Sequence, residues 1–281
     1  MIRLAAFLSL IAAPLSADPF MTQDQCDGAW QRSVALTFGA IPSRWTSDAL
    51  KAEREAAEGV TSELTADGWC AIVAQGKGLE DANFARLAWR AKDIDGFIDS
   101  NGVPSRVEVQ FWGVRLEQAV DYEIFVAVQH VPDEGQLVID NLMITSTDDA
   151  NITASGVIGG AFFRDIGMAG MSLGGLHLDR LSVVADVTPD LVADLAPDLT
   201  GPMLKKAISQ LSFIQMDQAS QREVIHFADD LPELRGTLRF DFRSERGLGM
   251  MQFGMAQSRE GADAVAFALS GATVAVDWQP R

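Results

Sequence analysis

Val107-Glu108-Val109-Gln110-Phe111-Trp112-Gly113-Val114-Arg115-Leu116 alternates apolar and polar side chains and then changes phase. Val107, Val109 and Phe111 fall on one side of an extended chain, with Glu108 and Gln110 on the other. Such a period of two is that of a half-buried strand. After Phe111 the apolar set becomes Trp112, Val114 and Leu116. A shift of one residue sends every later side chain to the opposite face, so the switch at Gly113 predicts a β-bulge or strong local twist.

The same period runs outward in both directions. Upstream, residues 84–91 alternate, with Leu87 and Trp89 opposite Arg86 and Arg90. Downstream, Tyr122, Ile124, Val126 and Val128 share a face, and 136–145 with 151–158 read as a hairpin about Asp148-Asp149. A short helix over 161–174 and a strand over Leu176 to Val187 follow. Pro189, Pro197 and Pro202 then punctuate a helical section. Its clearest helix starts with Thr200 as cap and Pro202 in the first turn and repeats Leu204, Ile208 and Leu211 at helical spacing. A further helix covers about Gln221 to Asp230.

Strands return with Leu238, Phe240 and Phe242. Residues 248–257 are expected to pair with them across Ser244-Glu245-Arg246-Gly247, and a last hairpin runs from Ala264 to Trp278 about Ser270-Gly271. The units Gln136 to Gly159 and Arg235 to Gln257 read as loose structural repeats. These elements predict an α+β fold: a long, twisted antiparallel sheet with the helical segment of about 189–230 packed on one face. Residues 67–281 form one β-rich domain with inserted helices. Residues 18–66 are a helical or irregular N-terminal segment, in which Thr46-Ser47-Asp48 caps a helix over Ala49 to Glu58 that ends at Gly59.

Residues 1–17 combine Arg3, an uncharged run to Ala17 and a polar Asp18-Pro19 that follows, the pattern of a secretory signal peptide cleaved near Ala17. The uncharged run is too short for the roughly 20 residues of a spanning helix. The expected compartment is the periplasm, with no membrane anchor after cleavage. There, the two cysteines, Cys26 and Cys70, are expected to form a disulfide. The whole chain of 281 residues carries 22 basic and 39 acidic side chains, a formal net charge of −17. That charge repels nucleic acid and anionic membrane surfaces and excludes non-specific nucleic-acid binding.

Motifs for chemistry are few. Gly170-Met171-Ser172-Leu173-Gly174 matches the nucleophile elbow of serine hydrolases, and Asp194 and His226 follow in the right order. The elbow requires a strand turning into a helix, and here the order of elements is the reverse, so a Gly-rich turn is the expected role. Asp93-Ile94-Asp95-Gly96, with Asp99 and Asn101-Gly102, lacks the first and last ligands of a calcium loop and reads as a solvated hairpin connection. His130, His177 and His226 are too widely spaced for a zinc motif and read as surface or edge residues. No catalytic, cofactor or metal residues are assigned.

The units Gln136-Leu-Val-Ile-Asp-Asn-Leu-Met-Ile144, Ile152-Thr-Ala-Ser-Gly-Val-Ile158 and Leu234-Arg-Gly-Thr-Leu-Arg-Phe-Asp-Phe242 resemble the β-repeats of AsmA-related bacterial envelope proteins. That resemblance implies extended sheets with an apolar groove and a role in moving or organising envelope lipids. The expected function is therefore a non-enzymatic periplasmic protein that binds a lipid-like ligand or an envelope partner. A structural or assembly factor without ligand is the second expectation and a hydrolase using Ser172 the third. Flexible methionines suit an adaptable groove. The candidate groove residues are Leu204, Ile208 and Leu211 on the helix and Met250, Met251, Phe253 and Met255 in the adjoining segment.

Overall fold

Period-two patterning recurs along the chain, and the elements it produces pair in chain order. The computed structural model describes residues 21–39, 47–73, 84–115, 121–147, 150–231, 233–257 and 262–281. Its strands are β1 (Glu63–Leu64), β2 (Cys70–Val73), β3 (Arg86–Lys92), β4 (Arg106–Arg115), β5 (Asp121–Val131), β6 (Gln136–Ser146), β7 (Asn151–Gly159), β8 (His177–Val187), β9 (Gly236–Gly249) and β10 (Ala272–Pro280). Each pairs antiparallel with the next in one ten-stranded sheet, giving a sheet-rich α+β fold.

The described helices are α1 (Gln23–Gly39), α2 (Asp48–Glu58), α3 (Ile94–Ser100), α4 (Ile166–Ser172), α5 (Pro189–Leu195), α6 (Gly201–Ile208), α7 (Gln218–Asp230), α8 (Met250–Gln257) and α9 (Ala262–Ala268). The Ser47 hydroxyl caps α2, which ends at Gly59 as its sequence predicts. Asp217 caps α7 in the same way, and Pro202 occupies the first turn of α6.

The expected irregularity in β4 is present: the register with β5 shifts between Phe111 and Val114, and Gly113 has φ +62°. A side chain there would be strained, and its Cβ would stand 2.9 Å from that of Ala85.

Helices cover the two ends of the sheet, and α5 covers part of its middle. At the N-terminal end, α1 and α3 bring Cys26, Ala29 and Ile94 onto Cys70 and Ala91, with Trp89 and Val107 packed alongside. Cys26 and Cys70 form the expected disulfide, which fastens α1 to β2. At the other end, Ile208, Leu211, Met216 and Val224 close over Phe242, Leu248 and Val274, while Phe227 meets Trp278 edge to face. Leu191 of α5 packs against Tyr122, Ile144 and Ile152.

Both outer strands are blocked. The Leu64 amide donates to Gln23 Oε1, the Val274 amide to the Gln215 carbonyl and the Val276 amide to Ser220 Oγ. Those contacts occupy donors that would otherwise template pairing with another chain.

Several expectations fail. Residues 250–257 are helix α8 instead of a strand, because β9 runs unbroken through Ser244-Glu245-Arg246-Gly247 to Gly249, so Arg235 to Gln257 is no hairpin repeat. Residues 262–268 form α9, which leaves β10 alone as the final strand; it pairs with β9. Short apolar runs carry either period, and here long-range pairing of β9 with both β8 and β10 decides. The connection at Asp93-Ile94-Asp95-Gly96 is helix α3, whose Ile94 is buried under α1. The segment 1–17 and the turn at Asp148-Asp149 lie outside the described residues.

Candidate functional site

Cross-strand register aligns apolar residues that lie far apart in the chain. Cys70, Trp89, Val109, Val126, Leu142, Ala154, Val183, Phe240 and Val276 form an unbroken row of directly opposed residues across nine strands. Beside it runs a second row: Ile72, Leu87, Phe111, Ile124, Ile144, Ile152, Ala185, Leu238 and Trp278. Neither row contains a polar side chain.

The ends of the first row lie beneath the helical covers, through Trp89 in one cluster and Phe240 and Val276 in the other. Among the described residues its middle lies beneath none of these covers. Val109, Val126, Leu142 and Val183 are half-buried, and among the described residues none of them belongs to a buried cluster. From β4 to β8 this stretch spans about 19 Å, the length of an acyl chain of roughly fifteen carbons.

The opposite face is mixed, with Phe125, Met143 and Val184 beside Gln110 and Thr153, and on β3, β4 and β6 it is fastened by charge. Glu108, buried, accepts from Arg90 Nε at 2.6 Å and from Arg106 Nε at 2.8 Å, and Arg106 reaches Asp140 at 2.6 Å. Burial raises the pKa of the Glu108 carboxyl, but the hydrogen bonds and charges of Arg106 and Arg90 outweigh it and hold the group below its ordinary value. Arg90 also lies over the Trp69 ring and Arg86 over that of Trp112, each at 4.5 Å. These contacts tie β3, β4 and β6 together directly behind the apolar rows.

Of the expected groove residues, Ile208 and Leu211 are buried in the closed cluster over Phe242 and Val274, and Leu204 packs against the cluster of Phe227 and Trp278. Met250, Met251 and Phe253 lie on α8, and the placement of their side chains is outside the description; Met255 of the same helix is half exposed.

Ser172 closes α4 and donates to the Met168 carbonyl at 3.1 Å, with a 3-10 turn and then β8 after it, so the strand-to-helix elbow is absent at this serine. Asp194 accepts from the Tyr122 hydroxyl, and His226 lies 3.8 Å from Glu223. His130 is a core residue instead of an edge one: it is buried, lies 3.1 Å from the Ala161 carbonyl and stacks on Phe163. His177 is half-buried beside Asp179 at 3.3 Å. Asp93 accepts from Ser105 Oγ, and Asp95 from Gln25 at 2.7 Å. Among the described residues no three His, Cys, Asp or Glu side chains converge on a metal-sized site, and no helix is long and apolar enough to cross a membrane.

Comparison with protein families, curated proteins and solved structures finds no match. Sequence patterning identified the strands that carry the apolar rows but not their alignment. Register depends on three bulges between β5 and β8, at Ala127/Val128, Ile139/Leu142 and Val157/Ile158, none of which has a local signal as plain as Gly113.

Proposed function

We propose that this is an exported, non-enzymatic envelope protein that holds an apolar chain across the middle of its sheet, over Val109, Val126, Leu142 and Val183. The unbroken apolar row, half-buried between two helical covers, carries this reading. The resemblance of the β-units to AsmA-related proteins points the same way, and the Cys26–Cys70 disulfide is compatible with an oxidising compartment.

Each methylene fully removed from water contributes about 0.8 kcal/mol. Twelve would contribute about 10 kcal/mol if enclosed, and about half that lying on one side of a sheet, less the ordering cost. A Kd between micromolar and millimolar is expected.

Titration of delipidated protein with a fluorescent fatty acid tests the proposal, with Val126→Asp and Leu142→Asp as disruptors. Saturable binding weakened at least tenfold by each substitution, in variants with wild-type circular dichroism, supports it. A wild type that does not bind, or variants that bind equally well, supports a ligand-free structural role, the reading favoured by the tight closure of Ile208 and Leu211 over Phe242.

A further inference from the structure

The loop between α6 and α7 presents Phe213 and Ile214 at 68% and 85% exposure, the two most exposed large apolar side chains among the described residues. This is a rigid presentation. The Ser212 amide and hydroxyl both donate to Gln215 Oε1 at 3.0 Å, and the Met216 amide donates to the Ser212 carbonyl at 3.0 Å. Gln215 Nε2 reaches the Leu269 carbonyl at 3.1 Å, and the Gln215 carbonyl accepts from the Val274 amide at 2.7 Å. Leu211 and Met216, on either side of the tip, are buried in the core. Two apolar side chains are thus held in water by a loop that has no slack to retract them.

Beneath the tip lies a cavity of about 390 Å³ lined by Phe213, Ile214, Asp217, Asp241, Arg243 and Thr273, among others. Its charges are of both signs. Arg239, four residues back along β9 on the same face, pairs with Asp277 at 3.9 Å, whereas Arg243 has no ion pair among the described residues. Arg243 also stands directly opposite Arg180 of β8, which likewise has none, and the two share an adjoining cavity of about 300 Å³ with Gln136 and Asp179. Like charges directly opposed across strands destabilise a sheet unless an anion lies between or above them.

We infer that this corner of the molecule docks on a zwitterionic phospholipid bilayer, with Phe213 and Ile214 inserted among the acyl chains and a head group seated in the cavity below. Its phosphate meets Arg243, backed by Arg180, and its ammonium meets Asp217 and Asp241. Two adjacent side chains suit a bilayer better than a protein partner, since a stable protein interface buries about 800 Å² on each side. Shallow insertion needs only a small apolar wedge with polar groups around it. The net charge of −17 disfavours anionic surfaces and leaves a zwitterionic one. This inference does not depend on the acyl site on the sheet, because different residues carry it.

Co-sedimentation of the mature chain with vesicles of pure phosphatidylcholine, pure phosphatidylethanolamine or pure phosphatidylglycerol tests it. The expected result is partition onto the two zwitterionic vesicles that exceeds partition onto the anionic one. The double substitution Phe213→Ser/Ile214→Ser should reduce it at least tenfold, and Arg243→Gln about threefold; all three sites are exposed, so the fold is retained. Absence of partition onto zwitterionic vesicles overturns the inference. So does partition unchanged by the double substitution, a preference for phosphatidylglycerol, or a dimer in solution that the double substitution dissolves. Partition lost in the double variant but untouched by Arg243→Gln overturns the head-group site.

Discussion

Replacing Cys26 and Cys70 together by alanine removes the one covalent tie between the N-terminal helix and the sheet, and its cost follows from the length of chain it closes. The two residues are 44 apart in sequence, and in the chain-entropy model a loop of that length restricts the unfolded state by about 4 kcal/mol. Both side chains are fully buried among Met21, Ala29, Ala91 and Ile94, so the lost sulfur atoms leave a small void and add to the penalty. For a chain of this size each kcal/mol corresponds to about 2–4 °C, so the variant should melt about 8–16 °C lower. The loss should also be uneven. The cluster under α1 and α3 rests on β2 and β3, while the clusters under α6 and α7 rest on β8 to β10. Thermal melts give the size of the effect, and hydrogen exchange gives its location: amides of α1 and β2 should lose protection before those of β9 and β10. A fall of less than 2 °C, or protection lost equally at both ends, would refute the view that the N-terminal cover is held on by this bridge.

Two further outcomes follow from the reverse face and the bulge. Four carboxyls are held below their ordinary values: Asp27 by the Gln23 side chain and then Ser62, Asp67 by the Thr65 side chain, Asp217 by the Ser220 amide, and Glu108 against its burial by Arg106 and Arg90. A depressed folded-state pKa contributes stability that is present above the unfolded value and lost as pH falls through the folded one, so urea melts should weaken below about pH 4.5. Glu108→Gln should lower stability by about 2 kcal/mol at pH 7 and flatten that acid dependence; a variant with the wild-type pH profile would show that the Arg90–Glu108–Arg106 cluster contributes none of it. Gly113→Ala places a Cβ at positive φ against Ala85 and should cost about 2 kcal/mol in chemical denaturation; an unchanged midpoint would mean that the bulge can relax at no expense.

The sheet was legible where period two is clean. Residues 107–116, 122–128, 136–145, 151–158 and 176–187 all read as strands, and the bulge at Gly113 follows from a phase switch visible in ten residues. Legibility ended where a short apolar run is compatible with either period. Met250 to Met255 and Ala264 to Leu269 read as strands, yet α8 and α9 form there because β9 already has β8 and β10 as its two neighbours. The candidate site was half visible. Val109, Val126 and Val128 were assigned to a common apolar side within their strands, but the row through Leu142 and Val183 depends on register set by bulges across distant segments. Glu108 was equally hidden: in sequence it is one polar position of a strand, and only the approach of Arg90 from β3 makes it a buried, ion-paired centre.

On the central strands the apolar row is uninterrupted while the reverse face is mixed, and that difference argues that the row is more than incomplete core. Where those strands face away from the rows the side chains are mixed: Glu108, Gln110, Thr153, Ser155 and Ser182 are interspersed with Phe125, Ala127, Met143 and Val184. Where they face the rows, Val109, Phe111, Ile124, Val126, Leu142 and Val183 offer water nothing to bond. A face meant for solvent could take threonine or serine at these positions, as the reverse face does at Thr153, Ser155 and Ser182, with little loss of strand propensity. A face meant for a closed core would bring a helix over it, as α6 and α7 do over Phe242 and Trp278 and α5 does over Ile144 and Ile152 of the second row, whereas Val109, Val126, Leu142 and Val183 belong to no buried cluster among the described residues. Half-buried apolar side chains recover only part of their transfer free energy, so an apolar occupant of that face would gain the remainder. Both edges of the sheet are occupied by Gln23, Gln215 and Ser220, which leaves the face, and not a strand edge, as the place where such an occupant gains contact.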